Sequence, residues 1–208
     1  MMEYDFEPIR GLPEDLPEGE HVVWQGSPDW RVFARSALYT RWVAGYFVLL
    51  AAFAFASGGL GGAIATGLAG LVVLALLAGF AVLVAKTTVY TITNKRIVFR
   101  IGIALNKCIN LPLKVIGAAD LRPHGSGFGD IAVSLTTAHR LGYAVFWPHV
   151  RPFHFREPQP MLRALPEVEK VARMLAESCA AIAPHQAGEV LKDASEHVTN
   201  DRLTGAPA

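Results

Sequence analysis

The most restrictive feature of the chain is a run of 44 residues, from Trp42 to Ala85, that contains no charged side chain. Arg41 and Lys86 lie at its two ends. A membrane-spanning helix needs roughly 20 apolar residues, so the run is too long for one span and long enough for two. The sequence therefore predicts an integral membrane protein.

Glycines divide this run near its middle. Residues 57–62 read SGGLGG, and four glycines in six residues favour a tight reversal of the chain. The apolar segments on either side predict a two-helix transmembrane hairpin over residues 36–86. We expect its first helix to begin near Ser36, with Tyr39, Trp42 and Tyr46 at the level of the lipid headgroups.

The flanking charges predict the topology of the hairpin. Three arginines precede the first span, four basic residues follow the second, and the connecting loop carries no charge. Cytoplasmic segments carry an excess of Lys and Arg, so both termini are predicted to face the cytoplasm from a multi-pass protein of the bacterial cytoplasmic membrane. A third span over residues 101–119 is rejected, because Lys107 or Lys114 at mid-bilayer would cost roughly 3 kcal/mol or more.

Composition limits the partners and the compartment. A chain of 208 residues with 52% hydrophobic composition and a net charge of +1 fits a two-span anchor plus one soluble domain. This charge balance argues against nucleic acid as a partner. Cys108 and Cys179 are the two cysteines, and they are expected to be free thiols in a reducing compartment.

The residues outside the hairpin predict a β-rich domain. Residues 1–35 form an N-terminal cytoplasmic segment with a short strand over 20–26, residues 87–183 form a cytoplasmic domain, and residues 184–208 are expected to be a flexible tail. Strands are predicted at 87–93, 96–101, 108–111, 115–122, 130–136 and 143–147, which favours a small antiparallel barrel or sandwich. A helix beginning at Pro166 is expected to close the domain with an apolar face of Val168, Val171, Ala172, Leu175, Cys179 and Ile182.

No combination of residues predicts an enzyme or a resident cofactor. His124, Ser126 and Asp130 are a hydrolase-like set by residue type, but no nucleophile-elbow sequence surrounds Ser126. His149 and His154 are five residues apart, which would place two strand residues on opposite faces and argues against a metal site. We therefore predict neither catalytic residues nor a metal site.

Small residues recur at four-residue spacing on the second predicted span. Gly62, Thr66 and Gly70 would let another helix approach closely. That helix could belong to the same hairpin, to a second copy of the chain or to a client protein.

Several motifs resemble a known family. Residues 90–102 (YTITNKRIVFRIG) resemble the opening hairpin of bacterial PH-like domains, and residues 128–131 (FGDI) resemble a later strand of those domains. Residues 4–13 (YDFEPIRGLP), 16–20 (LPEGE) and 23–30 (VWQGSPDW), followed by the hairpin, resemble the PuhB-type photosynthetic complex assembly proteins of purple bacteria.

This resemblance implies an α+β membrane protein that assists assembly of the photosynthetic reaction centre and its core light-harvesting complex. Such a protein would bind their subunits and membrane lipids, without catalytic residues or cofactors, and its self-association stays open. Lys95, Arg96, Arg100 and Lys107 are candidate contacts to an anionic membrane surface. The alternative is a general envelope PH-like protein that acts as a lipid-surface or oligomerisation module.

Overall fold

The structure is a computed structural model that describes residues 11–12, 14–103, 106–136 and 142–182. The predicted flexible tail, residues 184–208, lies outside the described residues. The strands are β1 (Val22–Gly26), β2 (Val89–Thr93), β3 (Arg96–Ile101), β4 (Lys107–Pro112), β5 (Ile116–Gly125), β6 (Phe128–Leu135) and β7 (Met161–Leu165). The helices are α1 (Trp30–Ser36), α2 (Thr40–Thr87), α3 (Tyr143–Phe146) and α4, which covers residues 168–182 of the described chain.

The long helix α2 contains one break. Its 48 residues are helical except at Gly59, where φ is 73° and ψ is −164°, a conformation that is open to glycine and strained for other residues. By length and composition, α2 is the one helix in the described part of the chain that could cross a membrane. The predicted loop over residues 57–62 is therefore reduced to a break at Gly59.

The two arms of α2 contact each other. A Cβ atom built on Gly70 would lie 2.7 Å from the Phe47 ring, and one built on Gly62 would lie 3.6 Å from the Ala54 Cβ. In a straight helix, residues 47 and 70 would be roughly 35 Å apart at 1.5 Å per residue. The chain therefore reverses at Gly59, and the two arms run antiparallel.

A short separate helix precedes the long one. The prediction that the first apolar helix begins near Ser36 is wrong, because α1 ends there and α2 begins at Thr40. The chain turns at Tyr39, whose φ of 52° is incompatible with a continuous helix. Asp29 caps α1, since its Oδ1 accepts hydrogen bonds from the backbone N–H groups of Arg31 and Val32.

The first sheet has the strand order β1-β2-β3-β4 and is antiparallel throughout. The predicted strands at 20–26, 87–93, 96–101 and 108–111 correspond to these four elements. Because β1 pairs with β2, residues 22–26 belong to the same sheet as residues that follow α2. The strand β1 of the N-terminal segment is thus hydrogen-bonded to a strand of the predicted cytoplasmic domain.

The second sheet has the order β5-β6-β7. Among the described residues no ladder joins it to the first sheet, so the barrel alternative is wrong. Residues 101–119, rejected as a third span, instead contain β4, a single 3-10 turn and the start of β5. The predicted strand over 143–147 is also wrong, because that segment forms the short helix α3, and β7 was not predicted.

Side chains from both sheets form one core. Tyr90, Ile97, Phe99, Ile131 and Leu162 are fully buried in it. Helix α4 covers this core with the predicted apolar face, since Val168, Val171, Ala172, Leu175, Cys179 and Ile182 all pack against it. Burial raises the pKa of the Cys179 thiol and so disfavours its thiolate.

Candidate functional site at the base of the long helix

The base of α2 is joined to the sheet domain through α1. Phe33 and Ala81 are completely buried, and they pack with Val32, Val84 and Ala164 in a second apolar cluster. This cluster therefore contains residues of α1, α2 and β7. Truncating a side chain such as Phe33 to Ala costs about 3–5 kcal/mol in cores of this kind, so the junction is a firm connection.

Asp130 makes a polar contact at this junction. Its Oδ1 accepts a hydrogen bond of 2.8 Å from the backbone N–H of Ala164. The Ala164 carbonyl in turn accepts a 2.9 Å hydrogen bond from the backbone N–H of Asp29, the cap of α1. The FGDI motif therefore supplies the carboxylate that connects β6, β7 and α1.

A buried polar network lies beside the same junction. His149 is 1% exposed, its Nδ1 lies 2.6 Å from the Tyr90 hydroxyl, and its Nε2 lies 3.2 Å from Thr88 Oγ1, directly after α2. The Tyr90 oxygen accepts from the Arg163 backbone N–H, so its own proton is donated to Nδ1. This pattern assigns a neutral imidazole with the proton on Nε2.

Burial explains the protonation states in this network. It lowers the pKa of His149 to about 3, with a smaller contribution from the Arg163 charge. It also raises the pKa of Tyr90 well above its usual range. Both groups are neutral at pH 7, and the network serves packing and orientation at the end of α2.

A cavity of about 300 Å³ opens on the other side of α1. It lies between the C-terminal end of α1, the start of α2 and the β5–β6 turn. Its Ser36 Oγ is buried and has no hydrogen-bond partner among the described residues, whereas His124 Nε2 lies near the Asp130 carboxylate. Its lining residues are Val32, Arg35, Ser36, Arg41, His124, Gly125, Ser126 and Phe128.

The hydrolase-like residues come together only in part. His124 Nε2 lies 2.8 Å from Asp130 Oδ2 but outside hydrogen-bonding alignment, so their contact is electrostatic. Ser126 occupies the β5–β6 turn with a φ of 54° and lines the cavity. The other oxygen of the Asp130 carboxylate, Oδ1, accepts from the Ala164 N–H, so Asp130 has a structural role at this junction.

The histidines considered for a metal are also separated in role. His149 is held by Tyr90 and Thr88, whereas His154 Nδ1 lies 2.9 Å from the Pro152 carbonyl. Within the described part of the chain, no group of three His, Cys, Asp or Glu side chains is arranged to hold a metal ion.

The four predicted membrane-surface cations do not form one patch. Arg96 forms a 2.8 Å ion pair with Glu20, and Arg100 is 5% exposed, so neither presents its charge openly. Lys95 donates to the Glu18 carbonyl, at the β2–β3 turn. Lys107 is exposed but pairs in register with Ile101, at the opposite end of β3.

The small-residue stripe faces the other arm of α2. Gly62 lies against Ala54 and Gly70 against Phe47, as described above. Thr66 is half-buried, and its hydroxyl donates to the Gly62 carbonyl within its own arm. Of the partners left open by the sequence, the same hairpin is therefore the one seen at Gly62 and Gly70.

An exposed aromatic group beside α2 was not predicted from the sequence. The Trp147 ring lies 5.8 Å from that of Phe80 in the second arm, and it is 55% exposed. Phe153 and Phe155, in the loop that follows, are 84% and 64% exposed. The sequence signal for this exposed aromatic group is the succession of aromatic residues and prolines over 147–155, a pattern that by itself predicts the end of a strand followed by a loop.

Two known proteins are similar to this chain to different degrees. The chain is 42% identical over 189 residues to an "Uncharacterized 23.7 kDa protein in puhA 5'region" of Rhodobacter capsulatus, and the match covers 86% of this chain and 88% of that protein. A crystal structure of a duf1696 family protein with a pleckstrin-homology domain, from Shewanella loihica, aligns with 44% of this chain and 70% of its own. That alignment has 13% identity and a TM-score of 0.30.

The family assignment rests on the sequence itself. Residues 45–178 match the family described as Bacterial PH domain, a stretch that includes most of α2 and every strand of both sheets except β1. This match covers more than half of the chain, and it agrees with the resemblance found at residues 90–102 and 128–131. The chain belongs to the bacterial PH domain family.

Proposed function

We propose that the chain is a membrane-bound assembly factor for the photosynthetic reaction centre and its core light-harvesting complex. The observation that carries this proposal is the relative named for the puhA 5' region of Rhodobacter capsulatus, which agrees with the resemblance to PuhB-type assembly proteins. Its similarity extends over nearly the whole of both chains, so the shared role would involve the complete protein.

The architecture supports an anchored binding module. The uncharged run in α2 is long enough for two spans once the chain reverses at Gly59. We propose that both arms cross the bacterial cytoplasmic membrane and that both termini face the cytoplasm, because basic residues flank the run at both ends. The junction of α1, α2 and β7 would then hold the domain close to the membrane surface.

The mode of action in this proposal is binding rather than catalysis. It is supported by the structural role of Asp130 in the hydrolase-like set, whose Oδ1 accepts from the Ala164 N–H. The exposed Trp147 offers apolar surface beside the second arm of α2, where subunits inserted in the bilayer could be contacted, and Phe153 and Phe155 are exposed in the loop that follows. We propose that reaction-centre and core light-harvesting subunits are the clients.

A general envelope role is the second candidate. The same three aromatic side chains could seat the domain on any bilayer, because exposed Trp and Phe partition to the membrane interface. In that case the protein would serve as a lipid-surface or oligomerisation module without a photosynthetic client.

Deletion of the gene in its photosynthetic host distinguishes the assembly role from the general envelope role. The assembly proposal predicts a loss of reaction-centre and core-antenna absorbance, restored by the full chain in trans. Restoration should fail with a chain truncated after Lys86, because that removes both sheets except β1. Normal pigment–protein absorbance in the deletion strain, with a general defect in the envelope, would favour the second candidate.

A further inference from the structure

The cavity between α1, α2 and the β5–β6 turn has the chemistry of an anion site. Arg35 and Arg41 both line it, and in the part of the chain that the structure describes neither has an acidic side chain within ion-pair distance. Arg35 Nε donates to the Arg31 carbonyl, which leaves its terminal nitrogens as further donors. We propose that this cavity binds the phosphate group of an anionic membrane lipid.

An unpartnered polar atom supports a ligand in this place. Ser36 Oγ is buried without a hydrogen-bond partner among the described residues, which is unfavourable unless a ligand or water satisfies it, whereas His124 Nε2 has Asp130 Oδ2 at 2.8 Å. Phosphate oxygens accept hydrogen bonds from a hydroxyl, an imidazole N–H and a guanidinium alike. Asp130 is the acidic partner of His124, and its Oδ1 accepts from the Ala164 N–H while its Oδ2 lies 2.8 Å from His124 Nε2.

The position of the cavity favours a lipid over a soluble anion. Arg41 is the last charged residue before the uncharged run, and its neighbours Tyr39 and Trp42 are 46% and 79% exposed. Aromatic side chains flanked by arginine mark the headgroup level of a membrane helix. The cavity would thus open where lipid phosphates lie, and about 300 Å³ is at the lower end of the volumes of ligand pockets.

This inference rests on the proposed membrane crossing of α2 and not on the assembly role. It also differs from the predicted surface contacts, since Lys95, Arg96, Arg100 and Lys107 are not among the cavity residues. Its test therefore needs no photosynthetic client.

The experiment uses the full chain purified in a neutral detergent. The protein is incubated with equal amounts of phosphatidylglycerol and phosphatidylcholine, and the retained lipid is measured by native mass spectrometry. We expect selective retention of phosphatidylglycerol, reduced about tenfold in the double variant Arg35→Gln and Arg41→Gln, because two charge-assisted contacts are lost. The matched control is Lys114→Gln with Arg173→Gln, two exposed sites outside the cavity that remove the same charge.

Two further measurements test the proposal. The double variant Ser36→Ala and His124→Gln keeps both arginines and the charges that flank α2, and it should lower retention about threefold. Inorganic phosphate is titrated into the same preparation. Binding of phosphate that depends on the arginines, without selective retention of lipid, would overturn the lipid source. Equal retention of phosphatidylglycerol by the wild type and both cavity variants would overturn the site itself.

Discussion

At the scale of single residues, His149 shows how burial sets chemistry. A neutral imidazole is enclosed by Tyr90 and Thr88 at the end of α2, and its pKa is lowered to about 3. The unfolded chain binds a proton at this residue near pH 6.5, whereas the folded chain does not. The stabilisation that the folded state gains from holding His149 neutral is therefore complete above about pH 6.5, and it is lost as the pH falls toward 3.

This linkage gives a prediction about pH. Between pH 6.5 and 5, the free energy of unfolding of the wild type should fall by up to about 1.4 kcal/mol per pH unit from this residue. His149→Gln should lower stability at pH 7 and remove that dependence. Denaturant titrations of the detergent-solubilised protein at several pH values measure both effects. The control His154→Gln, in the nearby loop, should keep the wild-type slope, and a His149→Gln variant that also kept it would contradict the assignment.

Asp130 gives a second prediction at this scale. Removing its carboxylate leaves the buried N–H of Ala164 without an acceptor, so Asp130→Ala should destabilise the protein by about 1–3 kcal/mol. Asp130→Asn should cost less, because its amide oxygen can still accept, and should leave reaction-centre accumulation largely intact. Thermal unfolding in detergent compares the two variants. Equal stability of Asp130→Ala and the wild type would show that the Ala164 contact is unimportant.

At the scale of elements, the long helix shows what the sequence could predict and what it could not. The apolar run and its glycines were sufficient for a reversal near residue 59, since apolar length and backbone freedom are local properties. They could not locate the break at Tyr39, which depends on how α1 packs against Ala81 and Val84. The apolar run alone could not distinguish a membrane helix beginning near Ser36 from two separate helices.

Strands follow the same division. The β2–β3 hairpin was predicted closely, because β-branched runs on each side of Asn94 and Lys95 are a local signal. The strand β7 was missed, because its pairing with β6 is set by distant contacts such as that between Asp130 and Ala164. The β-branched and aromatic residues of the segment 143–147 favour a strand. The structure instead has the helix α3 there, with Phe146 buried in the core.

Contact between the two arms of α2 can be tested with neighbouring glycines. A side chain at Gly70 would collide with the Phe47 ring, whereas a Cβ at Gly67 meets nothing within 4 Å. Gly70→Leu should therefore cost about 1–3 kcal/mol of stability, and Gly67→Leu less than about 0.5 kcal/mol. Thermal unfolding in detergent provides the comparison. Similar losses for both variants would indicate that the stripe of Gly62, Thr66 and Gly70 does not pack against the first arm.

At the scale of the whole molecule, one junction connects the two arms of α2 to the sheet domain. Cluster residues of α1, α2 and β7, together with the Asp29–Ala164 hydrogen bond, place both sheets beside the base of α2. The cavity and the exposed Trp147 both adjoin α2. The sequence could not predict either, because each is assembled from segments that are remote along the chain.

The central claim is that α2 is a membrane hairpin with the domain on the cytoplasmic side. Labelling of cysteines in intact spheroplasts with a membrane-impermeant maleimide tests it most directly, because the exposed Cys108 reports on the domain and a Gly58→Cys variant reports on the reversal. The account predicts that Gly58→Cys is labelled from outside, whereas Cys108 is labelled only after the membrane is permeabilised. Labelling of Cys108 in intact spheroplasts, or protection of Gly58→Cys until permeabilisation, would contradict it.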